Sequence, residues 1–312
     1  MPYGPNDFHC SRPLNSWTDG FVLNYGWLVN LADLNTETDY VRQRIADYFT
    51  SLLSMGFSGF RIDAAKHISP TNLAAIFARL KNNMGGSFPE DFVTYLEVII
   101  GGEKDLLMCQ DNPYNYGSTF AKYMADAGLS QDDIAKVKIW ESDYPKEFPL
   151  CGWPIPSERY AIQLDCHDDQ FPGSSSRDMG DTGSILVKEK NVDRHRNFNV
   201  QMFTRTDGNW QIKLLLSSYT FMENVGAFGF PDGNSDCSKC LTSDCRTKCT
   251  KSVPYSKAHR DDVCGYTCVD GGWQQGVYTR VHRDYSIIKA MRQWMGLSTG
   301  SPRDVGLPDN CS

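Results

Sequence analysis

The stretch GFSGFRIDAAKH, residues 56–67, decides how this chain is read. It begins as a short apolar run punctuated by glycine, the pattern of a buried strand. It ends in Arg61, Asp63, Lys66 and His67, four polar or ionisable groups within seven residues. A carboxylate flanked by cationic and imidazole side chains at the exit of a buried strand is a candidate site, provided that other strands bring partners to the same rim.

Reading outward from it gives alternating helices and strands. TETDYVRQRIADYFTSLLSMG, residues 36–56, carries Val41, Ile45, Phe49 and Leu52 at helical spacing, with acidic Glu37 and Asp39 near its start. SPTNLAAIFARLKNNMGG, residues 69–86, is a second helix: Ser69 sits at the cap, Pro70 in the first turn, and Gly85 and Gly86 at the end. FVTYLEVI, residues 92–99, is again a strand. A helix between two strands implies that the strands are parallel. Residues 107–150 predict a short strand, a helix near 117–127 and surface loop, and a charged helical stretch follows around 184–206. RYAIQLDCHD (159–168) and WQIKLLLSSY (210–219) are further strands. DYSIIKAMRQWMG (284–296) is a helix with Ile287, Met291 and Trp294 on one face.

Composition excludes several classes. The chain has 312 residues, 40% hydrophobic and 22% charged, with a net charge of −7. That is a chain with a core and no basic stripe for phosphates, so nucleic acid is not an expected partner. No apolar run approaches the roughly 20 residues of a membrane helix. Eleven cysteines are present, six of them between Cys237 and Cys268. This cluster is either a disulfide-stapled loop or a zinc knuckle; a lone CxxC at Cys237 and Cys240, with no His pair beside it, favours disulfides and an oxidising setting. The odd total leaves at least one thiol unpaired within the chain, and Cys166 is a candidate for a buried free one. The first residues, MPYGPNDFHC, show no signal segment.

Three predicted strands end in acids. Asp63 closes GFRID, Glu97 lies near the end of TYLEV, and LDCHD presents Asp165, His167 and Asp168. Asp63 and Glu97 are 34 residues apart, one strand-to-strand unit. They are expected on neighbouring strands at one rim, where parallel α/β proteins gather their sites. Two carboxyl groups about 5–5.5 Å apart are what a retaining glycosidase uses, one as nucleophile and one as acid/base. Arg61, on the same strand face as Asp63, favours the ionised nucleophile; Leu96 and Val98 around Glu97 favour a proton donor. Taken singly, each residue also has a plain structural role: a cap, an ion-paired glutamate, a hydrogen-bonded histidine.

These motifs resemble those of the α-amylase family of glycoside hydrolases. GFRIDAAKH is similar to its nucleophile motif, YLEVI to its acid/base motif, and QLDCHDDQ to its third-acid segment. LVNLADLNTETDYVRQRI is similar to its calcium-binding segment and the helix that follows. DFHC and LLSSY also find counterparts in animal-type members. The resemblance implies an incomplete (β/α)8 TIM barrel of about five βα units, strands 4 to 8 of the family barrel. Residues 1–26 would be the tail of the protruding loop domain and 27–300 the catalytic portion, with a Cys-rich insertion at about 232–272. Residues 301–312 would begin a C-terminal β-sandwich, the chain being truncated at both ends.

By the same resemblance Asp63 is the nucleophile, Glu97 the acid/base, and Asp168 the acid that stabilises an oxocarbenium-like transition state. Arg61 orients Asp63, His167 contacts the sugar being cleaved, and Lys66 and His67 a neighbouring sugar. Ca²⁺ would bind the Asp33 carboxylate with main-chain oxygens of His67 and Asn24, in a site left incomplete by the absent D-x-x-x-N-H motif. Chloride activation is not expected: Cys166 stands where animal-type members carry Asn, and their second chloride-binding Arg falls near Lys213 or Leu214. The implied activity is endo-hydrolysis of α-1,4-glucosidic bonds in starch, glycogen or maltooligosaccharides, by a monomer in a secreted, lysosomal or vacuolar setting. The rival is a non-catalytic, amylase-like glycan-binding or degenerate fragment; an α-glucosidase or transglycosylase is a third reading. Trp17, Trp27, Trp153 and Tyr116 are candidate stacking platforms.

Overall fold

The computed structural model describes residues 3–100, 103–141, 156–163, 192–206, 208–215, 266–269, 272–275, 284–305 and 307. Asp165, Cys166, His167, Asp168 and Trp153, with most of the Cys-rich insertion, lie outside them.

Helix α1 is Gly20–Tyr25, started by Asp19, whose carboxylate accepts from Phe21 and Val22 N–H. Helix α2, Asp39–Ser54, is capped by Thr38 and buries Val41 and Ala46. Strand β1, Gly59–Ile62, follows, and then helix α3, Pro70–Asn83, with Ser69 capping Asn72 N–H and Pro70 in the first turn. The Ser69 cap and Pro70 in the first turn are as the sequence reads; Thr38 is a cap the sequence reading did not name. The buried face of α3 is Leu73, Ile76, Phe77 and Leu80, the 3–4 spacing of an amphipathic helix. Strand β2 is Val93–Glu97; helices α4 (Ser118–Asp126) and α5 (Gln131–Ala135) lead to β3, Val137–Glu141. Strand β4 is Tyr160–Gln163, helix α6 is Val192–Thr204, and β5 is Ile212–Leu214.

These strands form one sheet in the order β1-β2-β3-β4-β5. The pairs β1/β2, β2/β3 and β3/β4 are parallel. Strands added one after another in chain order, with helices between, wind as a (β/α)8 barrel does, and the five strands are an incomplete one. Register places Arg61, Tyr95 and Lys138 on one rung and Ile62, Leu96 and Ile139 on the next. Leu96, Val137 and Ile139 are fully buried, so the sheet carries the core of its unit.

The chain divides into two compact units, Met1–Ile162 with Gly208–Ile212, and Gln163–Asp207 with Lys213–Ser312. In the second, helix α7, Tyr285–Trp294, is capped by Asp284, and its Trp294 ring lies 5.9 Å from that of Phe203 on α6. An antiparallel hairpin there pairs β6, Tyr266–Val269, with β7, Gly272–Gln275. No helix among the described residues is long and apolar enough to cross a membrane.

Candidate active site

The site grows from the ends of β1 and β2. Ile62 pairs with Leu96, so Asp63 and Glu97, each one residue further on, leave their strands at the same height. Arg61 joins them: Nη1 donates to Asp63 Oδ1 and Nη2 to Glu97 Oε1. Its position two residues before Asp63 puts both side chains on one strand face. The two carboxylates lie within the span of a single guanidinium. The Asp63 side chain is 72% exposed and that of Glu97 6%. Burial works against the charge on Arg61, but the hydrogen bond to Asp63 and the charges of Glu97 and Asp63 outweigh it and raise its affinity for its proton.

Glu97 is buried as YLEVI implies, yet its surround is not apolar alone. Beside Arg61, the main-chain N–H of Ala64 donates to Oε2 at 2.8 Å. Ala64 has left-handed backbone angles, φ 48° and ψ 34°, and this turn swings its N–H towards β2. Tyr95 lies on the Arg61 rung, and burial raises its phenol above the usual range, with Arg61 acting the other way.

Beyond Ala64 the chain makes a single turn over Ala65–His67, in which Lys66 and His67 are buried. Lys66 Nζ donates to Ile99 O at 2.8 Å and to Glu103 Oε1 at 2.6 Å, and lies 4.9 Å from the centre of the Trp17 ring. His67 Nδ1 contacts Leu23 O at 2.9 Å, and burial lowers its proton affinity. Trp17 is 48% exposed and meets the His67 ring edge-on at 5.8 Å. Tyr116 is not a platform: it is fully buried, and its hydroxyl bonds to the carbonyls of Ala65 and Ile68. A tyrosine following Pro-Tyr-Asn in a polar loop reads as exposed; the two inward-facing carbonyls of this turn, which need a donor, are what draw it into the core.

Of the expected calcium ligands, Asn24 and His67 come together. Asn24 Nδ2 donates to Lys66 O at 2.8 Å, and its Oδ1 is buried with no hydrogen-bond partner among the described residues. Asp33 is engaged elsewhere, its Oδ2 lying 2.6 Å from His9 Nδ1. Burial raises the affinity of Asp33 for a proton, and the His9 contact opposes that. Among the described residues no cluster of three His, Cys, Asp or Glu side chains could hold a metal. Ca²⁺ takes six to eight oxygens, carboxylates prominent among them, and no contact joins Asp33 to Asn24 or His67. With its Oδ2 taken by His9, Asp33 does not offer such an ion a full carboxylate, and in this the residues present do not fit Ca²⁺. In the second unit Lys213, one position matched to the chloride-binding Arg, donates to Met202 O at 2.7 Å and lies 5.0 Å from the centre of the Trp294 ring.

Lys138 was not a candidate by sequence. Its rung alongside Arg61 and Tyr95 is visible only in the register. It donates to Glu158 O at 2.6 Å and Gln211 Oε1 at 2.8 Å. Burial, then the charge of Arg159, pulls its proton affinity down to a pKa of about 8.

Residues 5–111 match the family model of the α-amylase catalytic domain. The chain is 43% identical over 107 residues to an α-amylase of Tribolium castaneum, covering 33% of this chain and 22% of that protein. To an α-amylase-related protein of Drosophila kikkawai it is 30% identical over 185 residues, 58% of this chain and 35% of that one. The chain thus spans about a third or less of the curated relatives it matches. Among solved structures, the wild-type α-amylase I of Eisenia fetida superposes with a TM-score of 0.53 at 19% identity, over 94% of this chain and 54% of that one. A mutant of the same enzyme in complex with maltohexaose gives 0.53 at 17% identity, with the same coverage.

Proposed function

We propose that this chain, similar through residues 5–111 to the α-amylase catalytic domain, is part of a retaining endo-hydrolase of α-1,4-glucosidic bonds in starch, glycogen or maltooligosaccharides. The observation that carries this reading is the single guanidinium of Arg61 gripping both Asp63 and Glu97 at the ends of adjacent parallel strands. Maltohexaose, bound by the earthworm enzyme variant, is the substrate class brought to this chain.

In this reading exposed Asp63 attacks the anomeric carbon while Glu97 protonates the departing oxygen. Glu97 then activates water, and the sugar leaves with retained configuration. Arg61 and the Ala64 N–H both donate to Glu97, the arrangement suited to its base half. The acid half requires a proton on Glu97, whose two oxygens accept from Arg61 and from the Ala64 N–H. Asp168 and His167, outside the described residues, keep the roles of third acid and sugar contact. Trp17, exposed beside His67, offers a sugar ring an apolar face, while Lys66, held by Glu103, serves this rim as a fixed support.

The test is cleavage of an end-blocked maltooligosaccharide by the 312-residue chain and by any longer product containing it, with Asp63→Asn as control. Retained anomeric configuration and at least a ~10³-fold loss on substitution are expected. Cleavage that survives Asp63→Asn removes the assigned nucleophile. Binding of maltohexaose without any cleavage favours the non-catalytic, glycan-binding reading.

A further inference from the structure

The mismatch at the expected calcium site has a positive counterpart. His9 stands between two carboxylates: Nδ1 is 2.6 Å from Asp33 Oδ2, and Nε2 is 2.6 Å from Glu37 Oε2. Each ring nitrogen therefore faces a carboxylate oxygen at hydrogen-bonding distance, one from each side of the connection between residues 9 and 33–37. The two carboxylates sit on different nitrogens of the ring, and among the described residues no group of three such side chains could hold a metal ion. His9 is 13% exposed and packs against the Tyr25 ring at 4.7 Å between centres.

The bridge continues into the helices. Glu37 Oε1 accepts from Asn72 Nδ2 at the start of α3. The same amide nitrogen donates to Thr36 Oγ1 at 2.9 Å, and Arg42 of α2 donates to Asn72 Oδ1 at 2.6 Å and to Thr36 O at 2.6 Å. Main-chain bonds run alongside, His9 N–H to Asp33 O at 2.9 Å and Asn35 N–H to Asp7 O at 2.8 Å. One line of polar contacts therefore ties residues 7–9 to 33–37 and on to α2 and α3.

We propose that His9 takes the place of Ca²⁺ at Asp33, so that the amino-terminal segment is held to the α2–α3 pair by a metal-independent side-chain bridge. The inference does not depend on catalysis and is read from stability alone.

The experiment is thermal unfolding of the full 312-residue chain in EGTA and in millimolar CaCl2, with calorimetric titration of CaCl2 into the EGTA-treated protein. The expected result is a Tm that agrees within about 1 °C in the two media, and no saturable heat from a first site. His9→Ala is expected to lower Tm by about 4–8 °C, equally in both media, because a half-buried pair of carboxylates then loses its shared hydrogen-bond partner. Asp33→Asn keeps an acceptor for Nδ1 and is expected to cost less than His9→Ala. A Tm raised several degrees by CaCl2, with the rise lost in Asp33→Asn, overturns the proposal. So does a His9→Ala chain that melts where the parent does. Should His9→Ala fail to fold, the calcium response of the parent chain still decides.

Discussion

Ala64 presents its main-chain N–H to Glu97 Oε2 at 2.8 Å, and it can do so because its backbone is left-handed at the first residue after Asp63. The residue that turns the chain off the strand is thus also the one that fixes the second carboxylate. An alanine in this conformation carries about 1–2 kcal/mol of strain. Ala64→Gly should remove that strain while keeping the N–H. Against the entropy that glycine adds to the unfolded chain, the net gain is expected to be about 0.5–1 kcal/mol in denaturant unfolding. Ala64→Pro can adopt neither the angle nor the hydrogen bond, and should lower Tm and abolish any glucan hydrolysis together.

Gly59 opens β1 directly opposite Val93. A Cβ placed there would lie 1.6 Å from Val93 O, a main-chain atom that cannot step aside without breaking the ladder. Gly59→Ala is therefore expected to cost about 3 kcal/mol, at the upper end of overpacking penalties. The check is a lower urea midpoint with an unchanged slope. An alanine that is tolerated without loss would mean that β1 and β2 are not paired in this register.

Val29 is the reverse case. It is 77% exposed, makes no core, and has φ 47°, ψ 34°, angles that a β-branched residue avoids. Val29→Asn should raise stability by about 1 kcal/mol, because asparagine accepts the left-handed region and no buried methyl is lost. In differential scanning calorimetry this is a rise of about 2–4 °C.

Lys138 makes stability depend on alkaline pH. Its pKa in the folded chain is about 8, against 10.5 for the free side chain, because burial and Arg159 disfavour its charge. Between these values the unfolded chain binds more protons than the folded one, so stability rises as pH goes from about 8 to about 10.5. The rise is expected to be at most about 3 kcal/mol. Lys138→Met should flatten it in urea titrations across that range. A slope that persists in the variant assigns it to another group.

Much of the fold is legible in the sequence, and for identifiable reasons. The helices at Asp39–Ser54, Pro70–Asn83 and Tyr285–Trp294 have strong caps and a clear apolar face. The strands around Arg61 and Tyr95 are short apolar runs between breakers. The Ser118–Asp126 helix falls within the predicted 117–127, but the preceding stretch forms a wide turn at Asp105–Cys109 where a strand or loop was open. The pairing of Asp63 with Glu97 follows from spacing alone. What spacing cannot give is a contact between chains of different register. The second hand of Arg61 on Glu97, the Tyr116 hydroxyl reaching Ala65 and Ile68, and the His9 bridge join residues 36, 51, 48 and 24 positions apart. Each exists because a buried acceptor must find a donor, and the nearest one is chosen by packing.

The rungs from Gly59↔Val93 to Ile62↔Leu96 advance one for one, as do those between β2 and β3. Inserting or deleting one residue inside a strand would therefore exchange the inward and outward sets of side chains, turning Arg61 or Glu97 away from its counterpart. Added residues in the connector 84–91 would leave both untouched. Evolution along this lineage is thus free to lengthen what lies between the strands, while inside them only substitution is open to it.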